Sequence, residues 1–173
     1  MGFVRIKKIK GTEYGYLVEN SWTDRGSRQK VKAYLGRIIK PTKGADITMP
    51  DLSGLSYVDA VKTVAKWTLL SHGFQEGSES MLMQGTVLAD LGEHKIINKT
   101  NPAVIAMNEG FLCKHTLQQA LEFIPSSSIE EQIGAELANV LLEAGLSVPR
   151  EVFVQLFDKV HNTYKPNTNP NAP

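Results

Sequence analysis

The sequence predicts an α+β protein: an N-terminal three-stranded antiparallel sheet, then a mostly helical domain with a small β-hairpin element. Three observations carry this reading. The first 36 residues alternate with period two between turn-rich breaks, later segments repeat apolar residues at helical spacing, and Pro/Gly punctuation separates the two regimes.

Taken in order, residues 3–10 are β-branched and basic until Gly11, and residues 13–20 alternate around Tyr14, Tyr16 and Val18. After the turn-rich stretch 20–27, with Asp24-Arg25-Gly26 at its tip, residues 28–36 alternate again, which completes a meander. Residues 41–54 carry Pro41, Gly44, Pro50 and Gly54 with few apolar side chains, and read as a linker between a basic β module at 1–40 and an acidic domain at 55–163. In that domain Ser56 is the expected N-cap, with Asp59 in the first turn, of a helix whose Val58, Val61, Ala65 and Leu69 share a stripe and whose stop is Gly73.

Short strands come next at 86–90, 94–97 and 103–107, then a helix at 111–123 closed by Pro125. Ser128 and Glu131 form a capping box opening a helix over 129–144, with Ile133, Leu137, Val140 and Leu141 on one stripe and Gly145 as terminator. Pro149 starts a last helix that turns Val152, Phe153, Leu156, Phe157 and Val160 inward. The Pro/Asn-rich tail 164–173 is expected to be disordered.

Composition narrows the function classes. With 42% apolar and 21% charged residues the chain is too hydrophobic for a disordered polymer and too polar for a membrane bundle. One cysteine cannot close an intramolecular disulfide, and no apolar run reaches signal-peptide or membrane-span length, so the expected setting is cytoplasmic, or nucleoid-associated if DNA is the ligand. The near-neutral total hides an asymmetry: residues 1–43 hold eleven cations against three acids, a charge of +8, and the remainder of the chain is −7. One pole attracts polyanions and the other repels them.

Strict alternation along each strand sorts the basic module into faces. It puts Leu17, Val31, Leu35, Val4 and Ile6 on a buried side, and Arg5, Lys7, Tyr14, Tyr16, Arg28, Lys30, Lys32 and Tyr34 together on an exposed one. Cations neutralise phosphates and release counterions, tyrosines stack on bases or sugars, and a β-ribbon is narrow enough for the major groove of B-DNA. Arg28 is the candidate for a base edge; Arg5, Lys7, Lys30 and Lys32 are candidates for phosphate.

The stretch Tyr14-Gly15-Tyr16-Leu17-Val18-Glu19-Asn20-Ser21-Trp22, then Arg28-Gln29-Lys30-Val31-Lys32-Ala33-Tyr34-Leu35-Gly36, resembles the amino-terminal segment of some DDE-type insertion-sequence transposases of bacteria and archaea. More loosely, it is similar to the three-stranded DNA-binding sheets of phage integrase arm-binding domains. The resemblance implies a detached DNA-contacting module and not transposition, because the chain beyond residue 44 is too short for the catalytic core.

Other signals are weaker. The helix pair joined at Gly145 superficially resembles a helix-turn-helix, but its second helix sets Arg150 and Lys159 against Glu151 and Asp158, so core packing or a dimer surface is the better expectation. Asp90, Glu93 and Lys95 resemble a nuclease metal site, yet they fall at a hairpin turn where such residues are ordinary. Cys113 and His115 lack a second ligand pair for zinc. The expectation is a non-enzymatic DNA-binding protein without metal or cofactor, duplex DNA ahead of RNA, whose C-terminal helices dimerise or recruit a protein partner. The alternative is an assembly module whose basic sheet docks on an acidic partner.

Overall fold

The computed structural model describes residues 2–24, 26–78 and 80–164. The expected tail 164–173 falls, apart from Tyr164 at a helix end, outside the described residues.

Three long N-terminal strands, β1 (Gly2–Ile9), β2 (Thr12–Thr23) and β3 (Gly26–Ile39), form the expected antiparallel meander. Lys10 and Gly11 join the first two, with φ of 48° and 82°. Two successive positive φ angles are the geometry of a two-residue hairpin loop whose twist matches its strands.

After the helix α1 (Tyr57–Ser71) come β4 (Gln75–Glu76), β5 (Met81–Gln84), β6 (Val87–Asp90), β7 (Lys95–Asn98), β8 (Asn101–Met107) and β9 (Gly110–Leu112). Helices α2 (Lys114–Leu121), α3 (Glu130–Glu143) and α4 (Arg150–Tyr164) close the chain. The fold is α+β, but the expected small hairpin is a run of six strands, and the N-terminal meander is not detached from it. All nine strands belong to one mixed sheet of order β1-β2-β3-β8-β7-β6-β5-β4, with β9 on β8.

The junction is β8. Its first residues pair with β7, its last with β9, and Ala103, Val104 and Ile105 pair in parallel with Arg37, Ile38 and Ile39. Parallel pairing over so long a sequence separation cannot be read from local alternation. Ile38, Val104 and the buried Cys113 seal the join, with Leu35, Ala106 and Phe111 around them.

Residues 41–54 carry no helix or strand, yet they lie along the body. Leu52 is fully buried, Gly44 donates to Ser71 O, Thr42 is bonded to Gln84, and the Trp67 indole donates to Ile47 O at 3.0 Å. The main core packs α1, through Ala60, Val61, Val64, Ala65 and Leu69, with strand residues such as Val87, Ala89, Ile96 and Ile105, and with Leu117, Leu137, Leu141 and Leu156 of the later helices. Val58, expected in the α1 stripe, is 41% exposed because the buried arc runs through Ala60 and Val64 instead.

Helix starts show the finer corrections. Ser56 caps α1 by accepting from Asp59 N at 3.1 Å, and its own hydroxyl donates to the Asp59 carboxylate at 2.6 Å. The Ser128–Glu131 box does not form. Ile129 occupies the cap position of α3 without a side-chain bond, while Ser127 Oγ accepts the Ile129 N–H and Ser126 bonds Glu136. The helix expected from residue 111 starts three residues later, since Gly110–Leu112 is claimed by β8; the Thr116 hydroxyl then accepts the Cys113 N–H.

Candidate nucleic-acid interface

Only Gly15, Val18, Gly36 and Ile38 are buried among the described residues of β1–β3; residues 20–24 and 27–34 are exposed throughout. The outer half of the β2–β3 hairpin therefore projects from the body with both of its faces in solvent. Thr23 Oγ1 donates to Gly26 O at 2.8 Å and Ser21 Oγ to Arg28 O at 3.3 Å, pinning the far end.

Residues directly opposite on paired strands share a face, so the register decides where the candidate side chains emerge. Between β1 and β2 it is unbroken: Arg5 faces Tyr16 and Lys7 faces Tyr14. Between β2 and β3 it slips twice. Tyr16 pairs with Tyr34 but Gly15 with Gly36, leaving Leu35 extra; Leu17 pairs with Ala33 but Val18 with Val31, leaving Lys32 extra. Each bulge shifts the alternation of β3 by one residue.

The expected common face is thereby divided. Arg5, Lys7, Tyr14, Tyr16 and Tyr34 share one side, and the slip at Leu35 adds Arg37 to it. Lys30 stands opposite Glu19 and Arg28 opposite Ser21, which puts both on the other side, where Lys32 makes a 3.0 Å ion pair with Glu19. Val31, expected to be buried, lies opposite Val18 on the tyrosine side at 45% exposure, and Ile6 is also exposed. Strict alternation fails here because the extra residue Lys32 inverts the outer half of β3 relative to Tyr34, and the extra residue Leu35 inverts the root side.

The tyrosine side is a compact cluster. The Tyr34 ring lies 6.3 Å from Tyr14 and 5.5 Å from Tyr16, tilted to both, and Lys7 Nζ stands 5.2 Å from the Tyr16 ring centroid. Arg5 donates to the Gln29 side chain. Partial desolvation, reinforced by the two neighbouring phenols, raises the Tyr34 pKa, so its hydroxyl stays protonated in neutral solution. On the other side the hydrogen bond and charge of Lys32 hold the Glu19 carboxyl below its usual range.

Among the described residues Arg5, Lys7, Lys8, Arg28, Lys30 and Arg37 have no carboxylate within ion-pair distance, whereas Lys32 and Lys40 are paired with Glu19 and Glu13. The arm also carries Trp22, not among the sequence candidates, on the tyrosine side near the tip and 85% exposed. The available signal was the even spacing Tyr14, Tyr16, Trp22 along one strand.

The secondary candidates are absorbed by structure. Asp90 Oδ1 accepts from Gly92 N and Glu93 N at 2.9 Å each and from Ser80 Oγ at 3.3 Å, which is turn chemistry. Cys113 is buried at the start of α2, its Sγ 3.6 Å from Thr116 Oγ1. His115 has a buried Nε2 without a hydrogen-bond partner, and desolvation lowers its pKa. Among the described residues no three His, Cys, Asp or Glu side chains are grouped to hold a metal. The would-be reading helix α4 buries Val152, Leu156 and Val160 in the core, and its His161 pairs with Glu130 of α3 at 2.9 Å. No described helix is long and apolar enough to cross a membrane. Comparisons with protein-family models, curated proteins and solved structures find no match to this chain.

Proposed function

We propose that this chain is a non-enzymatic nucleic-acid-binding protein that inserts its projecting β-arm into the major groove of duplex DNA. The observation that carries the reading is the arm with its root: an outer hairpin with solvent on both faces and the unpaired Arg28 and Lys30 on one of them, and towards the root an aromatic cluster with the unpaired Arg5 and Lys7 on the opposite face. A groove has two phosphate walls. A ribbon edge-on between them meets one wall with each face, so cations divided between faces suit insertion better than a sheet laid flat. The deep, narrow major groove of A-form RNA does not admit such an element, which ranks duplex DNA ahead of RNA. The resemblance of residues 14–36 to transposase amino-terminal segments points the same way.

The test is titration of the full chain against a labelled mixed-sequence duplex over a salt series. Six unpaired arm cations, if all meet phosphate, imply a log–log slope of about −5 and a loss of roughly a thousandfold between about 50 and 200 mM salt. Insertion requires that Arg5→Ala/Lys7→Ala and Arg28→Ala/Lys30→Ala each weaken binding and each reduce the slope by up to about 2. If one pair alone matters, the sheet lies face-on; absence of duplex binding at low salt refutes the proposal.

A second reading has its own observation. Glu122, Glu136 and Glu143 line a cleft of about 670 Å³ between α2 and α3, in the part of the chain whose net charge is −7. An arm from a second copy would find opposite charge there. Salt-sensitive self-association without affinity for nucleic acid would select this assembly role.

A further inference from the structure

The slip at Lys32 inverts the outer strand; the slip at Leu35 acts at the root of the arm. Tyr34 and Arg37 are three residues apart and would face opposite ways in a regular strand; the extra residue returns Arg37 to the tyrosine side, opposite Tyr14. At this level β3 meets β8, and the β7–β8 hairpin closes over the arm's root. The approach is tight: a Cβ on Gly36 would fall 2.2 Å from Pro102 O, so only glycine lets the strands come together.

Where they meet, Tyr14, Tyr34, Arg37, Asn98, Lys99 and Asn101 line a cavity of about 550 Å³, beside Thr86 and Pro102. Its chemistry is mixed in a specific way. Tyr34 is 49% exposed and brings an aromatic ring to the lining. Arg37 and Lys99 bring two cations with no carboxylate partner among the described residues. The Asn98 amide is oriented by its Oδ1, which accepts the Thr86 hydroxyl at 2.7 Å and leaves the NH₂ to donate. Lys99 is held at the tip of its turn, φ 57°, by its N–H to Thr86 O at 2.9 Å.

We propose that this root pocket binds a nucleoside monophosphate unit, with the base on Tyr34, the phosphate between Arg37 and Lys99, and Asn98 and Asn101 at the base edge or sugar. An aromatic ring and two cations lining one cavity match that ligand in both its parts; bare phosphate would leave the tyrosines unused, and a neutral sugar would leave the cations unused. The unit is either the phosphorylated end of a strand lying along the arm or a free mononucleotide. The strand-end form rests on the nucleic-acid function proposed for the arm, and the free form does not.

The test is calorimetry on the full chain with adenosine 5′-monophosphate, adenosine and inorganic phosphate, alongside 5′-phosphorylated and 5′-hydroxyl single strands. The monophosphate should bind at least about tenfold more tightly than either fragment, and Lys99→Ala and Arg37→Ala should each weaken it by about ten- to a hundredfold. Tyr34→Ala should remove the advantage over inorganic phosphate. These side chains are solvent-facing, and an unchanged urea midpoint confirms that each variant is folded. A preference for the 5′-phosphorylated strand that disappears in Lys99→Ala identifies the strand end as the source; monophosphate binding without that preference identifies the free nucleotide. Equal affinity for phosphate and monophosphate, or no monophosphate binding at millimolar concentration, overturns the pocket. Arg28→Ala/Lys30→Ala keeps the two proposals separable, since it should weaken duplex binding and leave monophosphate binding intact. Monophosphate binding by a protein that ignores duplex would sink the interface alone.

Discussion

Gly36→Ala should be among the most damaging single substitutions in this chain, through a clash with backbone. Gly36 sits at φ 129°, a conformation that L side chains rarely adopt, which costs about 1–3 kcal/mol. Its new Cβ would also lie 2.2 Å from Pro102 O, 2.5 Å from Pro102 C and 2.6 Å from Ala103 N. None of these atoms can swing aside, so β3 and β8 must part. Parting weakens the three-residue parallel ladder at Arg37–Ile39, at about 0.5–1.5 kcal/mol per hydrogen bond, and loosens Ile38 against Val104 and Cys113. The sum is roughly 4 kcal/mol, in the rare tail of single substitutions. Gly11→Ala is the control: its φ is 82° but no atom lies within 4 Å, so only the backbone cost applies. Urea unfolding of both variants, read by circular dichroism, gives the comparison. If Gly36→Ala loses no more stability than Gly11→Ala, the close approach of the two strands is not what joins the arm to the body.

Glu19→Gln removes an acid and frees Lys32 from its 3.0 Å ion pair, so duplex affinity should rise and the salt slope steepen by up to about 1, read in the same titration. Trp22→Ala should leave the urea midpoint unchanged, because the side chain is 85% exposed, while weakening single-strand binding by about 1–3 kcal/mol if the ring stacks on a base. For His115, burial lowers the folded pKa below the ordinary 6.5, partly offset by Glu143. The unfolded chain then binds more protons below that value, so the contribution is present at higher pH and is lost as pH falls through it. Urea midpoints at about pH 7.5 and 5.5 should therefore drop less in His115→Gln than in the parent protein.

What local patterning can show, it showed. Period-two alternation marked β1 to β3, and 3.6-residue recurrence with Ser56, Gly73, Gly145 and Pro149 as punctuation marked the helices. These depend on neighbours a few residues apart. The capping box at Ser128 failed for a related reason: three serines in a row offer several hydroxyls, and the one used depends on Glu136, more than a helix turn beyond the expected partner.

The composition of the arm, its surplus of cations and its tyrosines are properties of the sequence by itself, and so is the charge contrast with the rest of the chain. Which face each cation occupies was decided by the tertiary structure, because a bulge forms where partner strands fall out of step, and no strand carries that information alone. The same holds for the single continuous sheet and for the root pocket. Both require residues 36–39 to meet residues 101–105 across some sixty-five positions of chain, a pairing settled by packing at Ile38, Val104 and Cys113 and by the missing side chain of Gly36.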